Sequence, residues 1–128
     1  MLYEGGKFST SEQRGIFMDQ ALDLYPADYW RWWLLANAPE GSDTDFTWES
    51  FQSTINKDLA DVLGNFISRV TNFSVSKFGN VIPDNKTYGQ LEKETIKTLD
   101  YHYECLKDLM QNIEIRKSCN ALRSIWVT

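Results

Sequence analysis

The hydrophobic and polar positions of this chain form three long stripes with helical spacing. The first stripe recurs at intervals of three and four residues, the period of a helix with one buried face, and comprises Ile55, Leu59, Val62, Leu63, Phe66, Val70 and Phe73. A second stripe covers 96–113, and a third begins at Ile115. No proline interrupts the first stripe before Gly79, so the pattern predicts about 30 helical residues there. Three such stripes predict a mainly α chain folded as an antiparallel helical bundle.

Shorter elements are predicted before the first stripe. Residues 1–15 have no sustained period and are expected to form a loop, with a short strand over 15–17. Asp19 is a candidate cap for a brief helix, because its carboxylate can accept from unpaired amides of the first turn. Pro26 suits the start of a further helix that runs to about Asn37.

Three boundary signals follow. Thr47 is a good N-cap for the long helix, and Phe46 and Phe51 on either side of it are expected to form a hydrophobic staple. Residues 79–86 contain proline and asparagine and predict a connecting loop. Residues 112–114 are expected to form a kink or tight turn between the second and third stripes.

Composition narrows the class of protein. The chain has 128 residues, with 13 Lys and Arg against 18 Asp and Glu, a net charge of −5. This balance excludes a generic polybasic binder of nucleic acid or membrane surface, although a few placed residues could still contact RNA. No apolar run approaches the length of a membrane span, and the start lacks the features of a secretory signal. We therefore expect no membrane association.

The chain has few of the cysteine and histidine ligands that zinc sites use. Cys105 and Cys119 lack the spacing of a metal or disulfide motif and are expected to be thiols in a reducing cytoplasm. His102 is the single histidine and is expected at a helix surface. We therefore predict no metal site.

The tryptophans allow two interpretations. Trp30, Trp32, Trp33 and Trp48 could form a base-stacking platform, but their short, largely apolar elements favour core packing. Trp126 lies on the third apolar stripe and is also expected to be core.

Several segments resemble a known family. The sequence Lys7, Phe8, Ser9, Thr10, Ser11 resembles the KMSKS signature of class I aminoacyl-tRNA synthetases. Further segments lie at residues 14–17, 27–34, 42–49 and 56–69. They resemble the segments that follow KMSKS in methionyl-tRNA synthetases, in the same order. Thr10 departs from the signature, because a hydroxyl replaces its second lysine. A loop with lysine and hydroxyls suits a triphosphate.

The resemblance implies a division into three parts. Residues 1–14 would be a KMSKS-type loop from the end of the catalytic domain, 15–46 a stem-contact fold with one or two short strands, and 47–128 a truncated anticodon-binding bundle. The third stripe stops at Thr128 without a capping glycine, and residues 1–14 look unanchored. We therefore expect a segment of a longer protein whose exposed apolar surface lets it self-associate.

Two residues of the first long helix match the family's anticodon contacts. In the family, an Asn and an Arg four residues apart contact anticodon bases, and here they match Asn65 and Arg69. At 100° per residue, Asp58, Asn65 and Arg69 fall within about 40° of one another beside the apolar stripe. An amide offers a donor and an acceptor to a base edge, and a guanidinium can donate and stack. Arg31 is a further candidate, for a tRNA phosphate.

The resemblance implies a cytoplasmic methionine–tRNA ligase that works through a methionyl-adenylate. The complete enzyme would use methionine, methionine tRNA and ATP with Mg²⁺. This segment would supply tRNA contacts and the ATP-loop signature, hold no ATP by itself and be inactive alone. Two alternatives are a stand-alone helical protein-interaction module and a nucleotide-binding loop grafted on a bundle.

Overall fold

The chain is mainly helical, with a small sheet near its start. The computed structural model describes residues 1–84 and 87–127. The elements in chain order are β1 (Leu2–Tyr3), β2 (Gly6–Lys7), α1 (Met18–Leu24), α2 (Ala27–Ala36), β3 (Asp45–Phe46), α3 (Trp48–Thr54), a π-helical segment (Ile55–Gly64), α4 (Asn65–Phe78), α5 (Gln90–Gln111) and α6 (Ile115–Val127). This architecture confirms the predicted helical chain preceded by a small strand region.

The sheet corrects the prediction for the first residues. β1 pairs antiparallel with β2 and parallel with β3, so the strand order is β2-β1-β3. Residues 1–15 are therefore not simply a loop. The strand predicted over 15–17 does not form, and a single bridge between Ser9 and Arg14 precedes it.

Two helix starts differ slightly from the prediction. α1 begins after Phe17, and Asp19 lies inside its first turn instead of capping it. Pro26 occupies the cap position of α2 and precedes the first helical residue, so its missing N–H still costs nothing. The predicted end of α2 near Asn37 is confirmed.

An aromatic core joins the sheet to the first helices. Six buried side chains form it: Ala21, Trp30, Trp33, Phe46, Phe51 and Ile55. Trp33 is the most deeply buried, with no exposed surface. The indole of Trp30 donates to the carbonyl of Ala21 at 2.7 Å, which satisfies its N–H inside the core. Core packing is thus confirmed for Trp30 and Trp33.

The long helix begins at the predicted cap. The Thr47 hydroxyl accepts from the amide of Ser50 at 3.0 Å, and the rings of Phe46 and Phe51 lie 5.9 Å apart across it. Helical backbone then continues through the π-helical segment to Phe78 and ends at Gly79, whose φ of 66° is costly for other residues. Asn85 and Lys86 of the predicted loop 79–86, and Thr128, lie outside the described residues.

The last two helices pack on each other and return to the core. A turn at 112–114 joins α5 to α6, as predicted, and Ile113 takes a positive φ there. α6 also packs against α2 and the π-helical segment. Its first amides, of Ile115 and Arg116, donate to Oε1 of Glu40 at 2.5 and 3.2 Å. Glu40 thus ties the start of α6 to the loop after α2.

The apolar stripes of α4 and α5 remain largely uncovered. No residue of either helix is buried, and every residue of both helices lies within the described ranges. Their exposed apolar side chains include Phe66, Val70, Phe73, Ile96, Leu99 and Met110. None of the helices formed by the described residues is long and apolar enough to cross a lipid bilayer.

Candidate nucleic-acid interface

Asn65 and Arg69 lie together on the first turns of α4. Both side chains are exposed, and Nε of Arg69 donates a hydrogen bond to Oδ1 of Asn65 at 2.9 Å. Spacing of four residues places two side chains on one helical face, so the predicted juxtaposition is present. The Asn65 amide nitrogen and the terminal nitrogens of Arg69 have no hydrogen-bond partner among residues 1–84 and 87–127. Together they offer a row of N–H donors to a ligand.

Asp58 does not join this pair, which corrects the prediction for that helix face. It is buried, and its Oδ2 accepts from the indole N–H of Trp32 at 3.1 Å. Nε of Arg123 lies 2.9 Å from its Oδ1. The π-helical segment explains the difference, because each of its turns holds more residues than an α-helical turn. The α-helical rotation of 100° per residue therefore does not give the relative positions of Asp58 and Asn65 around the helix.

Arg31 is exposed on α2 and already has a partner. Its Nη1 donates to Oδ1 of Asp28 at 2.7 Å, and the two side chains are 70% and 83% exposed. An ion pair this open to water contributes little free energy. Arg31 can therefore exchange the carboxylate for a phosphate at small cost.

The segment from Lys7 to Ser11 begins at the last residue of β2 and continues into a compact turn. The hydroxyls of Ser9 and Ser11 lie 3.2 Å apart, and Ser9 Oγ accepts from the amide of Glu12 at 3.3 Å. Lys7, Phe8 and Thr10 are exposed. This turn lines a shallow concavity of about 490 Å³. The lysine and the hydroxyls thus share one small polar surface.

Arg14 packs against the β1–β2 hairpin that precedes this turn. Its Nη2 donates to the carbonyls of Tyr3 and Glu4 at 3.4 and 3.3 Å. A Cβ on Gly6 would lie 2.0 Å from the Arg14 guanidinium. Glycine at position 6 therefore leaves the space in which Arg14 crosses the hairpin.

The four tryptophans do not form one stacking platform. Trp33 donates through Nε1 to Ser50 Oγ at 3.3 Å, and Trp32 packs on Trp126 with ring centroids 5.0 Å apart. These indoles contact other side chains of the fold, as expected for Trp126. Trp48 differs, because it keeps 36% of its surface exposed.

Trp48 belongs to a cavity that the sequence pattern did not reveal. The cavity has a volume of about 420 Å³ and is lined by Tyr25, Tyr29, Trp48, Phe51, Gln52, Ile55 and Asn56. Its residues come from the end of α1, from α2 and from the continuous helix of α3 and the π-helical segment, so no single period brings them together. One signal was available in the sequence, namely the two amides of Gln52 and Asn56 at a spacing of four.

Both cysteines are thiols without a disulfide. Burial raises the pKa of Cys119, and the nearby charges of Glu40 and Asp58 raise it further. Since a thiol with a raised pKa stays protonated at neutral pH, Cys119 packs beside Asp58 as a neutral group.

Two family models match the chain. Residues 1–71 match the model described as tRNA synthetases class I (M). Residues 82–128 match the model described as the anticodon binding domain of methionyl tRNA ligase. The boundary between the matches falls after the first turns of α4 and before α5.

The curated relatives carry a consistent name. The chain is 59% identical over 126 residues to the methionine–tRNA ligase of Roseobacter denitrificans, 58% over 125 residues to that of a Ruegeria species, and 55% over 127 residues to that of Paracoccus denitrificans. These alignments cover 98–99% of this chain but 22% of each relative. The chain therefore spans about a fifth of the length of the relatives it matches.

Proposed function

Because this chain belongs to the methionine-type family of class I tRNA synthetases, we propose that it is the part of a methionine–tRNA ligase that recognises tRNA. The observation that carries the proposal is the exposed, mutually hydrogen-bonded pair Asn65 and Arg69. In the complete enzyme, methionine would be joined to its tRNA through an ATP-dependent methionyl-adenylate, in the cytoplasm.

The Asn65–Arg69 pair is proposed to bind an anticodon base. Arg69 holds Asn65 through Nε, which leaves its terminal N–H groups and its planar face for a base. Asn65 keeps its amide N–H groups for the same base edge. Unpaired bases can be stacked on guanidinium planes and hydrogen-bonded on their edges at once. The pair therefore suits a single unstacked nucleotide.

Arg31 and the Lys7–Ser11 turn are proposed to make the remaining contacts. Arg31 would bind a phosphate of the tRNA stem in place of Asp28. Lys7, with the hydroxyls of Ser9, Thr10 and Ser11, would face the triphosphate of ATP, and Thr10 would contribute no charge there. ATP would bind with Mg²⁺ in the complete ligase, and we expect this segment alone to hold neither and to be inactive.

The decisive experiment changes Arg69→Ala in the complete ligase. We expect the KM for tRNA in aminoacylation to rise about 10- to 100-fold, the effect of losing one good base contact. Methionine-dependent exchange of pyrophosphate into ATP should stay within about twofold, because that step needs no anticodon. Arg116→Ala, at another exposed arginine, is the control and should change neither step. Equal losses in both steps would refute the anticodon role.

Neither the relatives nor the contacts among the described residues favour the stand-alone interaction module. The match to methionine–tRNA ligases runs along nearly the whole chain.

A further inference from the structure

We propose that the cavity between α2 and α3 binds the base of a second unpaired tRNA nucleotide, one that lies outside the anticodon. This proposal rests on the tRNA-binding function proposed above, and it concerns residues other than Asn65, Arg69 and Arg31. We call the cavity the aromatic cavity, and it is lined by Tyr25, Tyr29, Trp48, Phe51, Gln52, Ile55 and Asn56.

The floor and walls of the aromatic cavity suit a flat apolar ring. Phe51 forms the floor and is only 3% exposed. The ring of Tyr25 lies 5.6 Å from that of Phe51, and the ring of Trp48 lies 6.0 Å from that of Phe51. Tyr25 and Trp48 nevertheless keep 43% and 36% of their surfaces exposed. Aromatic surface left open beside a buried ring can accept a stacked base.

The rim carries polar groups that have no hydrogen-bond partner among the residues the structure describes. The side-chain amides of Gln52 and Asn56 have no hydrogen-bond partner within residues 1–84 and 87–127, and neither do the hydroxyls of Tyr25 and Tyr29. Each amide offers both a donor and an acceptor, as a base edge does. Both amides line the same cavity, so their groups are available to one ligand.

The size and position of the aromatic cavity point to a separate nucleotide. A volume of about 420 Å³ lies in the range of small-ligand sites. Asn56 precedes Asn65 by nine residues, which is about 13 Å along an α-helix and somewhat less along the π-helical winding between them. The base in the aromatic cavity would therefore lie beyond reach of the Asn65–Arg69 pair. Lys57, next to Asn56, is exposed and has no carboxylate partner in the part of the chain that the structure describes, so it is free for a phosphate.

The test is chemical probing of methionine tRNA bound to the complete ligase, with reagents that modify the pairing edges of unpaired bases. The variant is Gln52→Ala with Asn56→Ala. The matched control is Gln111→Ala with Asn120→Ala, which removes two exposed amides elsewhere. We expect one base outside the anticodon to be protected by the wild type and the control, and to become at least about fivefold more reactive with the variant. Anticodon protection should persist in all three.

The other outcomes are each decisive. If the anticodon is protected and no other base responds to the variant, the aromatic cavity does not hold a base, whereas the proposed function stands. This is the result expected if another segment of protein covers the cavity. If the tRNA gains no protection anywhere, the proposed function and this inference both fail.

A second pair of variants tests stacking separately from folding. Tyr25→Leu should weaken tRNA binding about tenfold, because it removes one ring from the base. Tyr25→Phe keeps the ring and should bind within about twofold of the wild type. Equal binding by both variants would show that the ring of Tyr25 makes no contact with tRNA.

Discussion

Asp58 is the residue at which three distant parts of the chain meet. Its carboxylate accepts from Trp32 of α2 and pairs with Arg123 of α6, while its own backbone lies in the π-helical segment. A buried carboxylate is costly unless hydrogen bonds and an opposite charge compensate it. Here both are present, so the pair keeps α6 in place against the core.

We predict that Asp58→Ala lowers the free energy of unfolding by about 2–4 kcal/mol, because it leaves the Trp32 indole without its acceptor and the Arg123 guanidinium without its counter-charge. Urea unfolding of the chain measures this loss. The control is Asp28→Ala, which breaks the exposed pair with Arg31 and should cost about 1 kcal/mol or less. Similar losses for the two variants would show that the buried pair stabilises the fold no more than the exposed pair does.

At the scale of elements, the long helix shows both what sequence can predict and where it stops. The cap at Thr47, the staple of Phe46 and Phe51 and the end at Gly79 follow from local chemistry, and all three were predicted. The π-helical winding was not, because Ile55, Leu59 and Val62 fit an α-helical stripe equally well. The contacts of Asp58 with Trp32 and Arg123 lie far away in sequence, so no local pattern shows them.

A small strand region was expected before the bundle, but the positions of its strands were not predicted, for a different reason. β1, β2 and β3 have two residues each, which is too short for an alternating pattern. The pairing of β1 with β3 also joins residues more than 40 positions apart, since Leu2 pairs with Asp45. The aromatic cavity was missed for the same reason, because α2 and α3 meet only in the folded chain. Asn65 and Arg69 were predicted together because their contact is local.

The cap of α3 supports a prediction at this scale. Thr47→Ala should lower the free energy of unfolding by about 1 kcal/mol, since the Ser50 amide loses its acceptor. Thr47→Ser keeps that oxygen, so its free energy of unfolding should stay within about 0.5 kcal/mol of the wild-type value. The midpoint of urea unfolding at constant slope reports both values. A Thr47→Ala midpoint equal to that of the wild type would show that the cap is not needed.

At the scale of the whole molecule, the two ends of the fold differ in how well they are covered. The sheet, α2 and α3 enclose a core, whereas α4 and α5 expose most of their apolar side chains to solvent. Contiguous apolar surface of this kind is uncommon on monomers. The net charge of −5 opposes association only weakly at physiological salt.

We therefore expect the 128-residue chain to self-associate as its concentration rises. Light scattering should show a weight-average mass above that of the monomer. Phe73→Asp places a charge at a side chain that is 61% exposed, so it should reduce association without lowering stability. Leu24→Asp, at an exposed apolar position away from α4 and α5, serves as the control and should leave association unchanged. A monomer at every concentration would contradict the prediction.

The hydrogen bond between Arg69 and Asn65 has a consequence for the entropy of recognition. A free arginine side chain loses up to about 2 kcal/mol of rotational freedom when it is held still. Arg69 is already held by Asn65 before any ligand arrives, so part of that loss occurs when the chain folds. For the anticodon contact proposed above, the guanidinium would then be preorganised, and less of the interaction energy would be needed to immobilise it.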